Sequence, residues 1–168
     1  MVCLSVVLWP PPHVGALLSA LPRPVTPGVR WSRPEEWIVK VRPLGQVVDS
    51  VIPRLIEAVR AELNGAPAVD CVLGPETRRL GGQWLGAPVD GLDLLAAGVF
   101  EATADLVPVT HPQPFQADIV LARGRVPKEL AGVPISGAWT ARSVALVADR
   151  SSPQARRLEN IVVFPLGS

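Results

Sequence analysis

The sequence has few of the residues on which common functional sites depend. Its 168 residues include 2 histidines, 2 cysteines and no tyrosine. Only 18% of the residues are charged, and 16 basic side chains against 15 acidic ones give a net charge of +1. Such a balance provides no overall attraction to nucleic acid or to an anionic membrane, so any phosphate binding must come from a local patch.

The cysteines exclude further classes. Cys3 and Cys71 lie in separate apolar segments, without the CxxC spacing of metal and redox motifs. We therefore expect free thiols in a reducing compartment, the cytoplasm, and neither a disulfide nor a metal site. The first apolar run stops at Pro10 and has no basic segment before it, unlike a secretory signal. No run approaches the roughly 20 apolar residues that cross a bilayer.

What the sequence does contain is a series of short periodic segments. Apolar residues make up 48% of it, and 19 prolines and 14 glycines divide it into short elements. The pattern predicts helices at 14–21, 50–63 and 91–106, with Ser50 as the N-cap of the second helix. It predicts strands at 2–9, 35–44, 68–73, 82–89, 115–125, 140–148 and 160–166, with a polar connection that contains Arg78 and Arg79 between the third and the fourth. Helices separated by runs of strands favour an α+β fold, with helices outside mainly antiparallel sheets.

A coarse duplication accompanies this order. In each half a helix leads through a proline-containing loop into a strand, which runs into Leu44-Gly45 in one half and Arg123-Gly124 in the other. The first strand is followed by WPPPH and not by a glycine-rich loop, which disfavours a parallel nucleotide-binding fold.

Together these segments resemble the two-histidine phosphoesterase superfamily, and within it the 2′-5′ RNA ligase or RNA 2′,3′-cyclic phosphodiesterase family. The resemblance is carried by LSVVLWPPPHVGALL, VRWSRPEEWIVKVRPLGQV, RRLGGQWLGAPVDGLDLLAAGVFEATADL, QPFQADIVLARGR and the closing FPLG. It implies one domain over 1–168 made of two intertwined lobes. It also implies a bilobal α+β architecture, with two antiparallel sheets related by a pseudo-twofold axis, helices outside and a central groove.

The sequence departs from the catalytic site that the resemblance implies. In the family, two His-x-Thr motifs on related strands place a general base and a general acid on either side of a phosphodiester. The spacing of two is needed because side chains i and i+2 on a strand share a face. Aligned on Leu44-Gly45, the first motif falls on Ile38 and Lys40. Aligned on LARGR, the second falls on Asp118 and Val120, so all four functional positions are replaced.

These replacements predict a catalytically inactive homologue. Isoleucine and valine transfer no protons, and positioned acid–base groups each contribute about 10²–10⁴-fold. A carboxylate at position 118 would also repel a phosphodiester. We hypothesise that Lys40 and Asp118 form an ion pair across the groove. The alternative is that Lys40 reaches solvent above Ile38.

A set of residues remains that could bind a ligand in the groove: Lys40, Arg42, Arg123, Arg125, Trp31 and His111. Alternation places Arg42 on the face of Lys40, whereas Arg123 needs a bulge to turn inward, because it lies an odd number of residues after Asp118. The alternative for these arginines is a scattered, solvated distribution.

We also predict where the tryptophans and the histidines lie in the fold. Trp31 follows Arg30 in an arginine–tryptophan pair that relatives keep near the groove. The other tryptophans, Trp9, Trp37, Trp84 and Trp139, are expected in the core. His13 is expected to face solvent at the start of the first helix, and His111 to lie in a loop near the groove mouth.

The sequence therefore predicts a protein that binds a nucleotide, a phosphodiester or an RNA end in the groove without catalysis. It is expected to act as a monomer, without cofactor, metal or membrane. Two alternatives remain: a rebuilt catalytic site of Asp118, Lys40 and His111, and a purely structural or interaction domain. An open, positive groove favours binding, a His111–Asp118 contact favours the rebuilt enzyme, and an occluded groove favours the structural domain.

Overall fold

Ten strands and three α-helices make up the fold in the computed structural model, which describes residues 1–109 and 113–167. The strands are β1 (Val2–Leu8), β2 (Val29–Trp31), β3 (Val39–Val47), β4 (Val69–Leu73), β5 (Arg78–Leu80), β6 (Trp84–Asp90), β7 (Asp118–Gly124), β8 (Gly137–Ala141), β9 (Ser143–Asp149) and β10 (Leu158–Pro165). The helices are α1 (Pro12–Ser19), α2 (Ile52–Leu63) and α3 (Asp93–Thr103). The predicted α+β class is confirmed.

The strands form two four-stranded halves that meet at β3 and β7. Their order is β10-β9-β1-β3-β7-β6-β4-β8, with β2 added to β7 and β5 to β6, and the pairs are antiparallel. One residue pair, Val39 opposite Ile119, joins β3 to β7. α2 and α3 pack on the half that contains β3, and α1 packs on β8 in the other half. This is the predicted bilobal arrangement with helices outside.

The two halves share one hydrophobic core. α1 follows β1 directly yet packs against β8, while β9 and β10 return to pair beside β1, so the chain crosses between the halves more than once. The core cluster joins Leu4 and Leu146 of one half to Leu73 and Ile119 of the other, all of them buried. None of the helices in the described ranges is long and apolar enough to span a membrane.

The helices form where the apolar spacing predicts them, although the predicted cap of α2 is wrong. α2 buries Leu55, Val59 and Leu63, which lie four residues apart on one face. Pro53 lies in the first turn, where a missing N–H group costs nothing. The expected N-cap, Ser50, lies instead in a 3₁₀ turn that leads into the helix, and α2 begins without a side-chain cap.

Strand boundaries depart from the prediction in several places, and three of them have an evident cause in the sheet. β3 continues through Gly45, because Gly45 adopts φ +67° at a bulge where Leu44 is an extra residue opposite β1. The predicted strand 140–148 is two strands, β8 and β9, which pair with β4 and β1 respectively. The predicted polar connection at Arg78 and Arg79 is strand β5. In each case the partner strand sets the boundary, which the local apolar pattern does not reveal.

Candidate anion-binding groove

A groove with a volume of about 1060 Å³ runs between the halves, lined by parts of β1, β3, β7, β9 and α3. All four motif positions, Ile38, Lys40, Asp118 and Val120, line this groove. The four positions come together because Val39 pairs with Ile119 where β3 meets β7. One residue away from that pair, Ile38 comes beside Val120 and Lys40 beside Asp118 in the antiparallel register. The alignment of the two segments made from the sequence thus brings the four positions to one cleft.

The Asp118 carboxylate is bound by an arginine that the sequence analysis did not select. Arg78 donates to it twice, from Nε at 3.0 Å and from Nη2 at 2.9 Å. Arg78 is opposite Gly86 in the sheet, and a Cβ at Gly86 would come within 3.2 Å of the Asp118 side chain. The predicted Lys40–Asp118 ion pair is wrong: Lys40 does not lie within 4.0 Å of the carboxylate, whose two oxygens are both held by the planar guanidinium of Arg78. The hydrogen bond that Arg78 donates to Asp118 raises the pKa of Arg78.

Ile38, at the other histidine position, belongs to an apolar surface. It is 8% exposed and packs with Val7 and Val147 in a small cluster on the groove side of the sheet. The groove therefore has a hydrophobic floor at the place where the family resemblance implies an imidazole.

Lys40 and Arg123 face the groove as neighbouring cations. Neither lies within 4.0 Å of a carboxylate in the described part of the chain. The Lys40 side chain is exposed to solvent in the groove, but the groove walls remove part of its hydration, and this desolvation lowers its pKa, as does the charge of Arg123. Burial also lowers the pKa of Arg123, followed by the charges of Arg156 and Arg30.

Arg123 is held in place by an aromatic ring and not by an acid. Its guanidinium carbon lies 4.4 Å from the ring centre of Trp84. Its Nε–H is buried and meets no acceptor among residues 1–109 and 113–167. Trp84 itself is 38% exposed on the groove wall, so the expectation that it belongs to the core is wrong. Trp37 and Trp139 are buried as predicted, and Trp9 is half-buried.

A bulge turns Arg123 into the groove. Two consecutive residues of β6 pair with Val120 and Ala122, so Leu121 is an extra residue on β7. Alternation restarts after it: Ala122 is buried in the core, and Arg123 faces the groove with Asp118 and Val120. The condition that the sequence analysis set for Arg123 is met.

A second bulge turns Arg42 away from Lys40. Val6 and Val7 of β1 pair with Arg42 and Lys40, so Val41 is the extra residue on β3. Val7 belongs to the groove-side cluster and Val6 to the main core. Because directly paired residues point to the same face, Arg42 follows Val6 to the core side. The prediction that Arg42 shares the face of Lys40 is wrong.

The Arg42 guanidinium is already occupied. It donates to Thr103 Oγ1 and to the carbonyl of Val107, and it lies 4.9 Å from the ring centre of Phe100. Arg42 is 4% exposed, and burial lowers its pKa. It contributes atoms to the groove wall, but its donors tie the C-terminal end of α3 and the segment after it to β3.

An ionic network at one end of the groove was also missed by the sequence analysis. Arg156, from the connection between β9 and β10, lies 3.3 Å from Glu36 and 3.5 Å from Asp149. Glu36 also lies 3.3 Å from Arg30, and its side chain is 4% exposed. Arg30 is opposite Arg123 in the pairing of β2 with β7, and this register brings it to the network.

Asp149 keeps its charge within this network. Burial would raise the pKa of Asp149, but hydrogen bonds from Ser151 and the charges of Arg156 and Lys40 lower it. Neither Arg156 nor Asp149 lies in a recognisable motif. Their approach to the groove depends on the path of the connection after β9.

The remaining predicted residues lie elsewhere. Trp31 pairs with Ala122, which faces the core, and its indole N–H donates to the carbonyl of Pro24 at 3.0 Å. Arg125 is exposed beyond the end of β7 and does not line the groove. His13 is exposed, with Nε2 2.9 Å from the carbonyl of Ala138. His111 lies outside the described residues.

Solved structures share this fold over nearly the whole chain. TT0787 of Thermus thermophilus superposes with a TM-score of 0.86 at 19% identity, covering 98% of this chain and 97% of that one. LigT of E. coli, complexed with 3′-AMP, superposes with a TM-score of 0.85 at 17% identity, covering 99% of each chain. The chain has the LigT fold.

The LigT fold confirms the architecture that the sequence resemblance implied. A further structure described as a phosphoesterase superposes with a TM-score of 0.81 at 17% identity over 100% of both chains. No protein-family model and no curated protein matches the sequence. In the part of the chain that the structure describes, no group of three His, Cys, Asp or Glu side chains is placed to hold a metal ion.

Proposed function

We propose that this protein binds a nucleotide or an RNA end through its phosphate in the LigT-like groove, and that it does not hydrolyse phosphodiesters. The observation that carries the proposal is the adjacency of Lys40 and Arg123 without an acidic partner among the described residues. Like charges held together in a partly buried site disfavour each other unless an anion lies between them. A phosphate supplies that anion and accepts hydrogen bonds from both groups.

The walls of the groove and the relatives in fold support the same ligand class. Trp84, Phe100 and Phe115 line the groove and are 38–44% exposed, so a nucleobase could stack on them. E. coli LigT has been crystallised with 3′-AMP, ATP and phosphate. These molecules share the phosphate group that Lys40 and Arg123 are suited to bind.

The absence of catalysis rests on the two histidine positions. Ile38 accepts no proton, and Arg78 engages both oxygens of Asp118. The rebuilt site of Asp118, Lys40 and His111 is disfavoured, because Asp118 would have to leave Arg78 before it could act on a substrate. The purely structural alternative is disfavoured by the volume of the groove and by the two cations that face it.

We further propose that residues 1–168 work as one domain, as a monomer, in the cytoplasm. The core cluster shared by both halves supports the single domain. Cys3 and Cys71 are both free thiols, as expected for a reducing compartment.

The test combines binding and turnover on the purified protein. Calorimetric titration with 3′-AMP should show binding, and incubation with 2′,3′-cyclic AMP followed by chromatography should show no hydrolysis. Arg123→Gln should lose binding, while Arg125→Gln, two residues away and outside the groove, should keep it. Hydrolysis that Asp118→Ala abolishes would overturn the proposal. So would the absence of binding of both nucleotides.

A further inference from the structure

One end of the groove carries an excess of two positive charges. Four cations lie there: Lys40, Arg123 and Arg156 line the groove, and Arg30 is opposite Arg123 on the neighbouring strand β2. The charges of Lys40, Arg123 and Arg156 act on one another. Two carboxylates lie in contact with this group, Glu36 and Asp149. Both carboxylates are bound by Arg156, and Glu36 also by Arg30. The excess of two therefore falls on Lys40 and Arg123.

The other charged groups of the groove do not cancel this excess. Asp118 is neutralised by Arg78. Asp93 and Glu101 line the groove from α3, and neither lies within 4.0 Å of a cation among the described residues. They are carried by α3, whereas Lys40 and Arg123 are carried by β3 and β7. The two cations at the basic end thus lack two units of negative charge.

We propose that this basic end selects a phosphate monoester, a terminal phosphate group, over cyclic or internal phosphodiesters. A monoester carries a charge of about −1.5 to −2 near pH 7 and three acceptor oxygens. A diester carries a single negative charge and leaves one of the two cations uncompensated. The inference rests on the proposed function and names the ligand class for the same groove.

The test compares 3′-AMP with 2′,3′-cyclic AMP, which have the same base and sugar. Calorimetric titrations of the intact protein near pH 7.5 should show 3′-AMP binding at least about tenfold more tightly, a difference of about 1.4 kcal/mol. Equal affinities would refute monoester selection while leaving phosphate binding intact. Absence of binding by both nucleotides would refute the proposed function itself.

The pH dependence of the affinity ratio isolates the charge of the ligand. The second pKa of a phosphate monoester is about 6, so most of 3′-AMP loses one charge by about pH 5, whereas the cyclic nucleotide does not. The charged groups at this end of the groove are the same for both nucleotides, namely Cys3, Glu36, Asp118, Asp149 and the four cations named above. The ratio therefore removes any change in the protein that affects both ligands equally. The ratio should fall by up to about tenfold between pH 7.5 and 5. A ratio that does not change with pH would contradict the inference.

Two further experiments test which residues cause the preference and whether it extends to the ends of RNA. Arg123→Gln removes one of the two excess charges and should reduce the ratio, whereas Arg125→Gln should leave it unchanged. If the affinity ratio is unchanged in Arg123→Gln, the preference for the monoester does not come from the basic end of the groove. A short RNA with a 3′-phosphate should bind more tightly than the same RNA with a cyclic phosphate end. The reverse order would count against the inference for RNA ends and would limit it to mononucleotides.

Discussion

Strands β3 and β7 occupy equivalent places in the two halves, and they use the same device with opposite results. In each, a bulge residue directly follows the second motif position, and an arginine comes next on β3 and one residue later on β7. On β7 the bulge at Leu121 brings Arg123 into the groove. On β3 the bulge at Val41 sends Arg42 to the core side, where it binds Thr103 and Val107.

One inserted residue thus decides which arginine faces the groove and which forms its contacts within the fold. Asp118 and Arg123 are separated by an odd number of residues, and the bulge puts them on one face. Lys40 and Arg42 are separated by an even number, and the bulge puts them on opposite faces. Mutations at these arginines should therefore affect different properties of the protein.

The largest effect is expected for Arg42→Met. The variant loses the charged hydrogen bonds to Thr103 and Val107 and leaves their oxygens unpaired, so the free energy of unfolding should fall by about 3 kcal/mol. Urea denaturation followed by tryptophan fluorescence measures this loss. Arg125→Met, at an exposed site, should stay within about 0.5 kcal/mol of the parent protein. An Arg42→Met protein as stable as the parent would show that Arg42 does not anchor α3.

In contrast to Arg42→Met, Arg123→Gln should weaken ligand binding and leave stability nearly unchanged. A charged hydrogen bond to a ligand contributes about 1.5–3 kcal/mol, so the dissociation constant for 3′-AMP should rise by roughly 10- to 100-fold. The free energy of unfolding should change little, because Arg123 has no acidic partner to lose among the described residues. Calorimetry and urea denaturation of the same sample separate the two effects. A stability loss as large as that of Arg42→Met, with affinity unchanged, would reverse the comparison.

A smaller effect is expected for Asp118→Asn. The pair with Arg78 is bidentate, but the Arg78 side chain is 41% exposed, so solvent screening limits the loss of stability to about 1 kcal/mol. A double-mutant cycle locates the partner: Asp118→Asn should couple to Arg78→Gln and not to Lys40→Met. Coupling to Lys40→Met would restore the ion pair that the structure excludes.

The smallest effect concerns the charge of Lys40. Burial and the charge of Arg123 lower its pKa, so on raising the pH Lys40 loses its proton before an ordinary lysine would, and the affinity for 3′-AMP should decline over that range. Amine labelling across a pH series measures the titration, with the exposed Lys128, the other lysine of the chain, as internal reference. Arg123→Gln or bound 3′-AMP should raise the pKa of Lys40. If the pKa of Lys40 changes in neither case, Lys40 does not interact with Arg123 or with the bound phosphate.

The fold and the location of the site could be predicted from the sequence, because they depend on periodicity and on segment order. The alignment on Leu44-Gly45 and on LARGR placed four positions correctly in one groove. The side of the sheet taken by Arg42 could not be predicted, since no local pattern marks the bulge at Val41. The partner of Asp118 could not be predicted either, because Arg78 comes from a strand that the sequence showed only as a polar connection.

The network around Arg156 illustrates a second limit. Arg156 and Asp149 approach the groove through the connection between β9 and β10, whose path depends on tertiary contacts. Arg30 was within reach of prediction once β2 was paired with β7. Trp31 was selected in its place on family resemblance alone, although the register puts Trp31 on the core side.

The most direct measurement is a crystal structure of the protein with bound 3′-AMP. The account predicts that the phosphate lies in the groove, with its oxygens within hydrogen-bond distance of both Lys40 Nζ and the Arg123 guanidinium, while Arg78 still holds Asp118. A phosphate bound to Arg42, or bound outside the groove, would contradict it.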